Sequence, residues 1–208
     1  MSNTHAGYLS LASATLFGLL FAVSASAADV TKLVEPCFSC HGKEGNSTEA
    51  DVPSIASFSD KYMGDTLNNY RNKVRPCIET EYRSNGKKGQ KTSMCAIAKE
   101  LSDSDVQQIV EYFAAQTFVR TPQKFDAELA KKGKGVHKLR CDSCHGEGGT
   151  LPGDHAGILG GQKVSYLREQ IKLFKEGKRP MVKKMKPKLD ALSDADIEAV
   201  INYYGSIQ

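Results

Sequence analysis

The residues best suited to chemistry in this chain form two copies of one short pattern, Cys-x-x-Cys-His. The copies are Cys37-Phe-Ser-Cys40-His41 and Cys141-Asp-Ser-Cys144-His145. Cysteines three positions apart lie about one helical turn from each other, so both thiols can bond to the vinyl groups on one edge of a haem. The histidine that follows then supplies the proximal ligand of the iron. Two such motifs predict two covalently bound haem c groups, and they disfavour the alternatives of a zinc site or a redox dithiol.

The amino-terminal segment predicts export, which the attachment of c-type haem requires. Residues 1–27 contain no Lys, Arg, Asp or Glu, and an apolar stretch runs into Ala25-Ser26-Ala27, a small-x-small cleavage site. The stretch is shorter than the ~20 residues that a spanning helix needs, which disfavours the alternative of an uncleaved membrane anchor. We therefore predict a signal peptide over residues 1–27 and a periplasmic mature protein without stable membrane insertion.

The chain carries a formal net charge of +4, but four haem propionates would offset most of it. A nucleic-acid partner is therefore not predicted. A local cluster of basic residues is more informative, and its members are Lys175, Lys178, Arg179, Lys183, Lys184, Lys186 and Lys188. The cluster has two interpretations: a solvated loop, or a docking edge for an acidic redox partner, since complementary charge speeds encounter.

An internal repeat extends well beyond the two haem motifs. An offset of 104 residues pairs Tyr62 with Tyr166 and Arg75-Pro76-Cys77 with Arg179-Pro180-Met181. Farther along, the offset falls to 91, so the first half carries 13 extra residues between Cys77 and Met94. The repeat predicts a duplication that produced two domains, residues 28–118 and 126–208, joined by a linker over 119–125.

The hydrophobic spacing predicts an all-α fold. Each half ends in a helix opened by a capping box, Ser102-x-x-Asp105 or Ser193-x-x-Asp196, followed by apolar residues at intervals of three and four. Middle helices are predicted over 60–72 and 163–176, and lead-in helices over 30–35 and 126–139. No segment alternates with period two, so strands are not expected. Small helical domains have thin cores, and haem must supply part of the apolar interior.

The sixth iron ligand decides whether a haem carries electrons or binds small molecules. Met94 and Met185 are repeat-equivalent, each seven residues before the Leu-Ser-Asp that opens the last helix, and we predict them as the distal ligands. Met181 is the rival in the second half, whereas Met63 is expected in the core. Two further histidines could reach an iron but are not expected to be ligands. His137 is expected in a partly buried surface contact, and His155 is expected to face solvent.

Two cysteines remain after the haems are bound. Cys77 and Cys95 flank the 13-residue insertion, and an oxidising compartment favours a disulfide between them. Closing such a loop is worth about 3 kcal/mol in the chain-entropy model. Cys95 follows Met94 directly, so the bridge would also hold the ligand loop. The alternative makes one of these sulfurs an axial ligand of a catalytic haem.

The tandem arrangement resembles dihaem class I cytochromes c, over nearly all of the mature chain. The second half resembles more narrowly the cytochrome subunit of flavocytochrome c sulfide dehydrogenase, chiefly in Arg179-Pro180-Met181-x-Lys183-Lys184-Met185 and Ile158-Leu159-Gly160-Gly161-Gln162. That resemblance implies two tandem class I domains and an FAD-containing partner subunit that oxidises sulfide. FAD would belong to the partner only. The 13-residue insertion is a departure from the family pattern and alters the surface near the first haem.

Three functions remain open on the sequence. The first is the electron-transfer subunit of a sulfide-oxidising flavocytochrome, without a catalytic site of its own, which passes electrons to a downstream soluble cytochrome or oxidase. The second is a free dihaem carrier that feeds a terminal oxidase. The third is a dihaem enzyme that acts on thiosulfate or peroxide at a haem with Cys or open ligation.

Overall fold

The computed structural model describes Met1, residues 24–153 and residues 155–208. Most of the predicted signal peptide therefore lies outside the described residues. None of the helices in the described ranges is both long and apolar enough to cross a membrane.

The described part of the first half consists of helices and one small hairpin. In chain order these are α1 (Ser24–His41), α2 (Asp60–Arg71), β1 (Thr80–Glu81), β2 (Lys91–Thr92), α3 (Met94–Lys99) and α4 (Asp103–Ala114). The described residues of the second half form five helices, α5 (Ala127–Arg140), α6 (Gly146–Gly149), α7 (Val164–Lys175), α8 (Lys186–Asp190) and α9 (Asp194–Ser206), and one isolated antiparallel bridge between Gly153 and Ala156.

Local hydrogen bonds explain where the main helices begin. Both predicted capping boxes are formed: Ser102 accepts from the amide of Asp105 before α4, and Ser193 accepts from that of Asp196 before α9. Asp126 caps α5 in the same way. The predicted middle helices match α2 and α7 to within one residue at each end. The first lead-in helix is longer than predicted, because α1 continues through the whole haem motif to its histidine.

The expectation that strands are absent was wrong for the insertion. Strands β1 and β2 pair antiparallel, with Thr80 opposite Thr92. The amide of Tyr82 donates to the carbonyl of Gln90 at 3.1 Å, and the amide of Gly89 donates to Tyr82 at 2.9 Å, which closes the hairpin. Each strand is two residues long, so there is no alternating pattern for sequence reasoning to detect.

In each half the lead-in helix packs against the last helix, α1 on α4 and α5 on α9. Gly133 permits the closest approach of the second pair, since a Cβ there would lie 2.0 Å from the carbonyl oxygen of Ala199. Met63 is buried in the core of the first half, as predicted. The buried core is small in both halves: Val34, Phe58, Met63, Leu67, Val106, Ile109, Val110 and Phe113 form the first cluster, and Leu167, Leu189, Ile197, Val200, Ile201 and Tyr204 form the second. Ile158 of the second half packs into the first cluster.

Candidate haem-binding sites

The first attachment motif lies in the last turn of α1, where Cys37 packs at the edge of the first core cluster. Burial raises the pKa of the Cys37 thiol to about 11. The Nδ1 atom of His41 donates a hydrogen bond to the carbonyl of Pro53 at 2.9 Å. Because a carbonyl can only accept, this bond leaves Nε2 without a proton, in the state that can bind iron. Burial also lowers the pKa of His41, which favours the neutral ring.

The second motif follows the end of α5 instead of lying within it. Cys141 is the residue after the last helical turn and packs against the second core cluster, whereas Cys144 is exposed. Burial and the nearby His137 lower the pKa of His145. The repeat-equivalent of Pro53 is Gly157, where a Cβ would lie 2.7 Å from the ring of Phe58 in the other half. Contact between the two halves therefore requires glycine at this position.

The two predicted methionine ligands occupy matching places. Met94 is the first residue of α3 and Met185 is the N-cap of α8, so each begins the short helix before the last one. Both are partly buried and pack against the same core cluster as the first cysteine of their own haem motif. Met181 packs against the second cluster as well. The structure thus brings cysteine and candidate ligand together in each half, and it leaves Met181 as the rival of Met185.

The other two histidines have contrasting environments. His155 is exposed, in agreement with the sequence interpretation. His137 is buried, not the surface contact we expected: its Nδ1 lies 3.1 Å from the hydroxyl of Tyr204, and its Nε2 lies 3.1 Å from a carboxylate oxygen of Asp142. Asp142 stands within the haem motif, so this network ties the attachment loop to α9.

A disulfide joins Cys77 and Cys95, whose Cα atoms are 5.4 Å apart, and anchors the inserted hairpin. The hairpin covers the first attachment motif at the end of α1. Ser84 and Ser39 exchange two hydrogen bonds of 3.0 Å each, and the thiol of Cys40 lies 3.7 Å from the carbonyl oxygen of Glu81. Both sulfurs that could have offered a thiolate to iron are thereby used in the bridge.

The two halves meet at a face built from repeat-equivalent side chains. Arg179 donates to the hydroxyl of Tyr62 at 3.2 Å, and its equivalent Arg75 lies against Tyr166. Both guanidinium groups also donate to the side-chain oxygen of Gln170, at 2.6 Å from Arg179 and 3.1 Å from Arg75. The contact between the halves thus has an approximate twofold symmetry.

Comparison with protein-family models agrees with this two-part organisation. The cytochrome c model matches residues 27–116, and the model described as cytochrome C oxidase, cbb3-type, subunit III, matches residues 128–203. The chain is a dihaem class I cytochrome c. Two covalent haem c groups and an electron-carrier role follow from this membership.

Several known proteins are similar to this cytochrome along most of its length. Cytochrome c4 of Pseudomonas aeruginosa is 28% identical over 203 residues, covering 90% of this chain and 91% of its own. The thiosulfate dehydrogenase electron acceptor of Thiomonas intermedia is 28% identical over 181 residues, covering 81% and 76%. The crystal structure of reduced cytochrome c4 from Pseudomonas stutzeri superposes with a TM-score of 0.69 at 26% identity, covering 88% of this chain and 98% of that one.

The buried charges of the interface fit the haem groups. Arg75 is only 4% exposed and its Nε has no hydrogen-bond partner, and no carboxylate among the described residues pairs with Arg75 or Arg179. Arg179 is partly buried. A buried and a partly buried cation without a counter-ion are costly, and the propionates of haem would supply the missing negative charge. The residues present therefore suit haem on both counts: attachment by the two motifs, and charge balance at the interface.

Sequence reasoning missed this interface and the His137 network. The offset of 104 residues already paired Tyr62 with Tyr166 and Arg75 with Arg179. That pairing of polar residues was the available signal, because haem motifs and core positions alone do not account for a repeated tyrosine and arginine. No comparable signal marked His137, which depends on two residues, Asp142 and Tyr204, brought to it by the fold.

Proposed function

We propose that this cytochrome is an exchangeable periplasmic carrier that accepts electrons from a dehydrogenase acting on a reduced sulfur compound and passes them to a downstream cytochrome or oxidase. The main support is that each half combines a haem-attachment motif with a methionine at the edge of one apolar cluster. His/Met ligation would close both faces of the iron, so each haem would exchange electrons and bind no substrate.

The haems, when bound, supply one-electron redox chemistry, and the chain sets the conditions for it. Pro53 fixes the His41 ring in the tautomer that can bind iron. The apolar clusters, against which Met94 and Met185 pack, would exclude water from the ligand faces. Arg75 and Arg179 place positive charge between the two halves, where it would balance haem propionates and would favour the reduced state. The disulfide removes Cys77 and Cys95 as ligands, which argues against a catalytic cysteine-ligated haem.

Two relatives support thiosulfate dehydrogenase as the donor. The electron acceptors of that name from Thiomonas intermedia and from Stutzerimonas stutzeri are 28% and 25% identical to this chain. The second candidate donor is the FAD subunit of a sulfide dehydrogenase. It is favoured by the Arg-Pro-Met-x-Lys-Lys-Met run that begins at Arg179, which resembles the flavocytochrome c pattern.

Stopped-flow reduction of the oxidised holoprotein tests the proposal. Thiosulfate or sulfide alone should reduce the haems slowly, since neither has a site to bind. A catalytic amount of thiosulfate dehydrogenase should make thiosulfate a fast reductant, whereas fast reduction only with sulfide and the FAD subunit would favour the second donor. Saturable turnover of either compound by the cytochrome alone would contradict a carrier role.

A further inference from the structure

The two halves differ in what surrounds their attachment cysteines. In the first half the disulfide-anchored hairpin lies over Ser39 and Cys40. In the second half no insertion is present, and Cys144 is exposed. Thioether bonds would form at these sulfurs, so protein would cover the attached edge of the first haem and leave that of the second open.

The open edge is bordered by a short basic segment, residues 182–188, which runs from the loop before α8 into the first turn of that helix and is called the basic loop below. Met181 and Met185 turn inward onto the second core cluster, which also contacts Cys141, while the side chains between and after them are exposed. Lys188 is close enough to Cys141 for its charge to favour the thiolate, although burial is the larger influence and raises the pKa of that thiol. The loop therefore lies beside the second haem-attachment site.

The charges of the basic loop are largely unpaired. Lys183, Lys184 and Lys188 have no ion-pair partner among the described residues, whereas Lys186 pairs with Asp190 at 2.6 Å. Val182, in the middle of the run, is 45% exposed. An apolar side chain among unpaired cations matches the apolar centre and charged rim of a transient protein interface.

The equivalent positions of the first half carry none of this charge. An offset of 91 residues places Thr92 and Ser93 where the second half has Lys183 and Lys184, and Ile97 opposite Lys188. The wider regions differ in the same sense. Residues 28–118 contain 11 basic and 13 acidic residues, and residues 126–208 contain 15 and 11. On the hairpin, Arg83 is paired with Asp51, and Lys87 and Lys88 are exposed.

We propose that the basic loop 182–188 is the docking surface for an acidic redox protein, and that this partner exchanges electrons through the second haem only. One electron at a time would pass between the partner's redox centre and the second haem iron, and the first haem would gain or lose its electron by transfer to or from the second haem across the interface between the halves. The proposal rests on the carrier function proposed above and adds the surface and the charge of the partner.

The first test reverses charge on the loop in the holoprotein. The variant K183E/K184E and the matched control K131E/K134E change the net charge equally. Lys131 and Lys134 are also exposed, but they lie on α5, about 15 and 10 Å along the helix from Cys141. The readout is the rate at which the anion hexacyanoferrate(III) oxidises the reduced protein, and the inhibition of that reaction by poly-L-glutamate.

We expect K183E/K184E to slow oxidation about tenfold at low ionic strength and to abolish inhibition by poly-L-glutamate, with the difference vanishing at high salt. The control should change the rate less than twofold. Equal losses in both variants would overturn the proposal, because only net charge would then matter. Binding of the loop to vesicles containing phosphatidylglycerol, without an effect of poly-L-glutamate, would also overturn it and indicate a membrane surface.

The second test opens the covered edge. Deleting residues 79–91, with Cys77→Ser and Cys95→Ser, gives the first half a loop as long as Met181–Met185. In the K183E/K184E background this deletion should restore part of the lost rate; no restoration in a variant that retains both haem spectra would contradict the shielding role of the hairpin. Neither test uses a dehydrogenase, so a wrong donor under Proposed function leaves these outcomes unchanged.

Discussion

The loops that follow Arg75-Pro76 and Arg179-Pro180 begin and end at equivalent points, yet they have diverged more than any helix. One contains 13 additional residues, a disulfide and a hairpin that lies over its haem motif. The other is short, basic and exposed. The helices and capping boxes stayed alike because core packing constrains them, whereas surface loops tolerate insertion and acquire function. After duplication, the two haem edges could therefore take different roles without a change of fold.

A second contrast lies beneath the surface, next to the haem motifs. The first half has Leu33, Phe38 and Phe113 at the positions where the second half has His137, Asp142 and Tyr204. The apolar set packs into the first core cluster, and the polar set forms a hydrogen-bonded network. Buried polar networks are more sensitive to pH and to loss of a partner than apolar clusters. The first haem motif is therefore held by apolar packing, and the second by a hydrogen-bonded network.

The largest expected effect comes from removing the distal ligands. Met94→Ala and Met185→Ala should each convert one of the two haems to high spin and lower its potential by on the order of 0.1 V, since the thioether stabilises ferrous iron. Electron paramagnetic resonance and a redox titration measure both changes. Met181→Ala is the matched control and should preserve two low-spin haems. If Met181→Ala converts a haem to high spin and Met185→Ala does not, then Met181 is the ligand, and the two halves do not use equivalent methionines.

Loss of the disulfide should affect one half only. Replacing Cys77 and Cys95 with Ser should destabilise the first half by about 3 kcal/mol, because the closed loop restricts the unfolded chain. Hydrogen exchange followed by mass spectrometry should show faster exchange in α4 and unchanged exchange in α9. Equal loss of protection in both helices would mean that the halves unfold as one unit and would contradict the predicted asymmetry.

The interface should respond symmetrically, with a smaller effect. Arg75→Met and Arg179→Met each remove hydrogen bonds of a charged group, and each should cost about 2 kcal/mol of the free energy of unfolding. Because both arginines share Gln170, a double-mutant cycle should show non-additivity. Both variants should also lower the haem potentials, since a nearby cation favours the reduced iron. Unchanged potentials would place the propionates away from these arginines.

The smallest effect concerns alkaline pH and the second half. Burial raises the pKa of Tyr204 well above its ordinary value, and the first half has Phe113 at this position. A raised pKa means that stability is complete below the unfolded pKa of about 10 and is lost as pH rises towards the folded pKa. Tyr204→Phe should therefore reduce the loss of stability of α9 between pH 9 and about 11. Denaturant titrations at the two pH values measure this loss of stability. The same loss in Tyr204→Phe as in the unmodified protein would show that Tyr204 is not its cause.

Much of the helical fold could be predicted because each main helix carries its own local signal. Ser102 and Ser193 stand three residues before Asp105 and Asp196, and the apolar residues that follow repeat at helical spacing. The hairpin could not be predicted, since its strands are too short for alternation and it is closed by the disulfide and by contact with Ser39. The candidate site likewise has a part that the sequence predicts and a part that it does not. Covalent motifs are local in sequence, whereas the carbonyl of Pro53 reaches its histidine only through the fold.

The symmetry of the interface has a consequence for the origin of the molecule. Tyr62 meets Arg179 and Tyr166 meets Arg75, which is the reciprocal pairing that a twofold axis produces between identical subunits. A one-haem ancestor with this tyrosine and this arginine on the same face would be self-complementary and could pair with a second copy of itself. Fusion of two genes would then have made permanent a dimer that already existed, and it would have freed each subunit to change its loop alone.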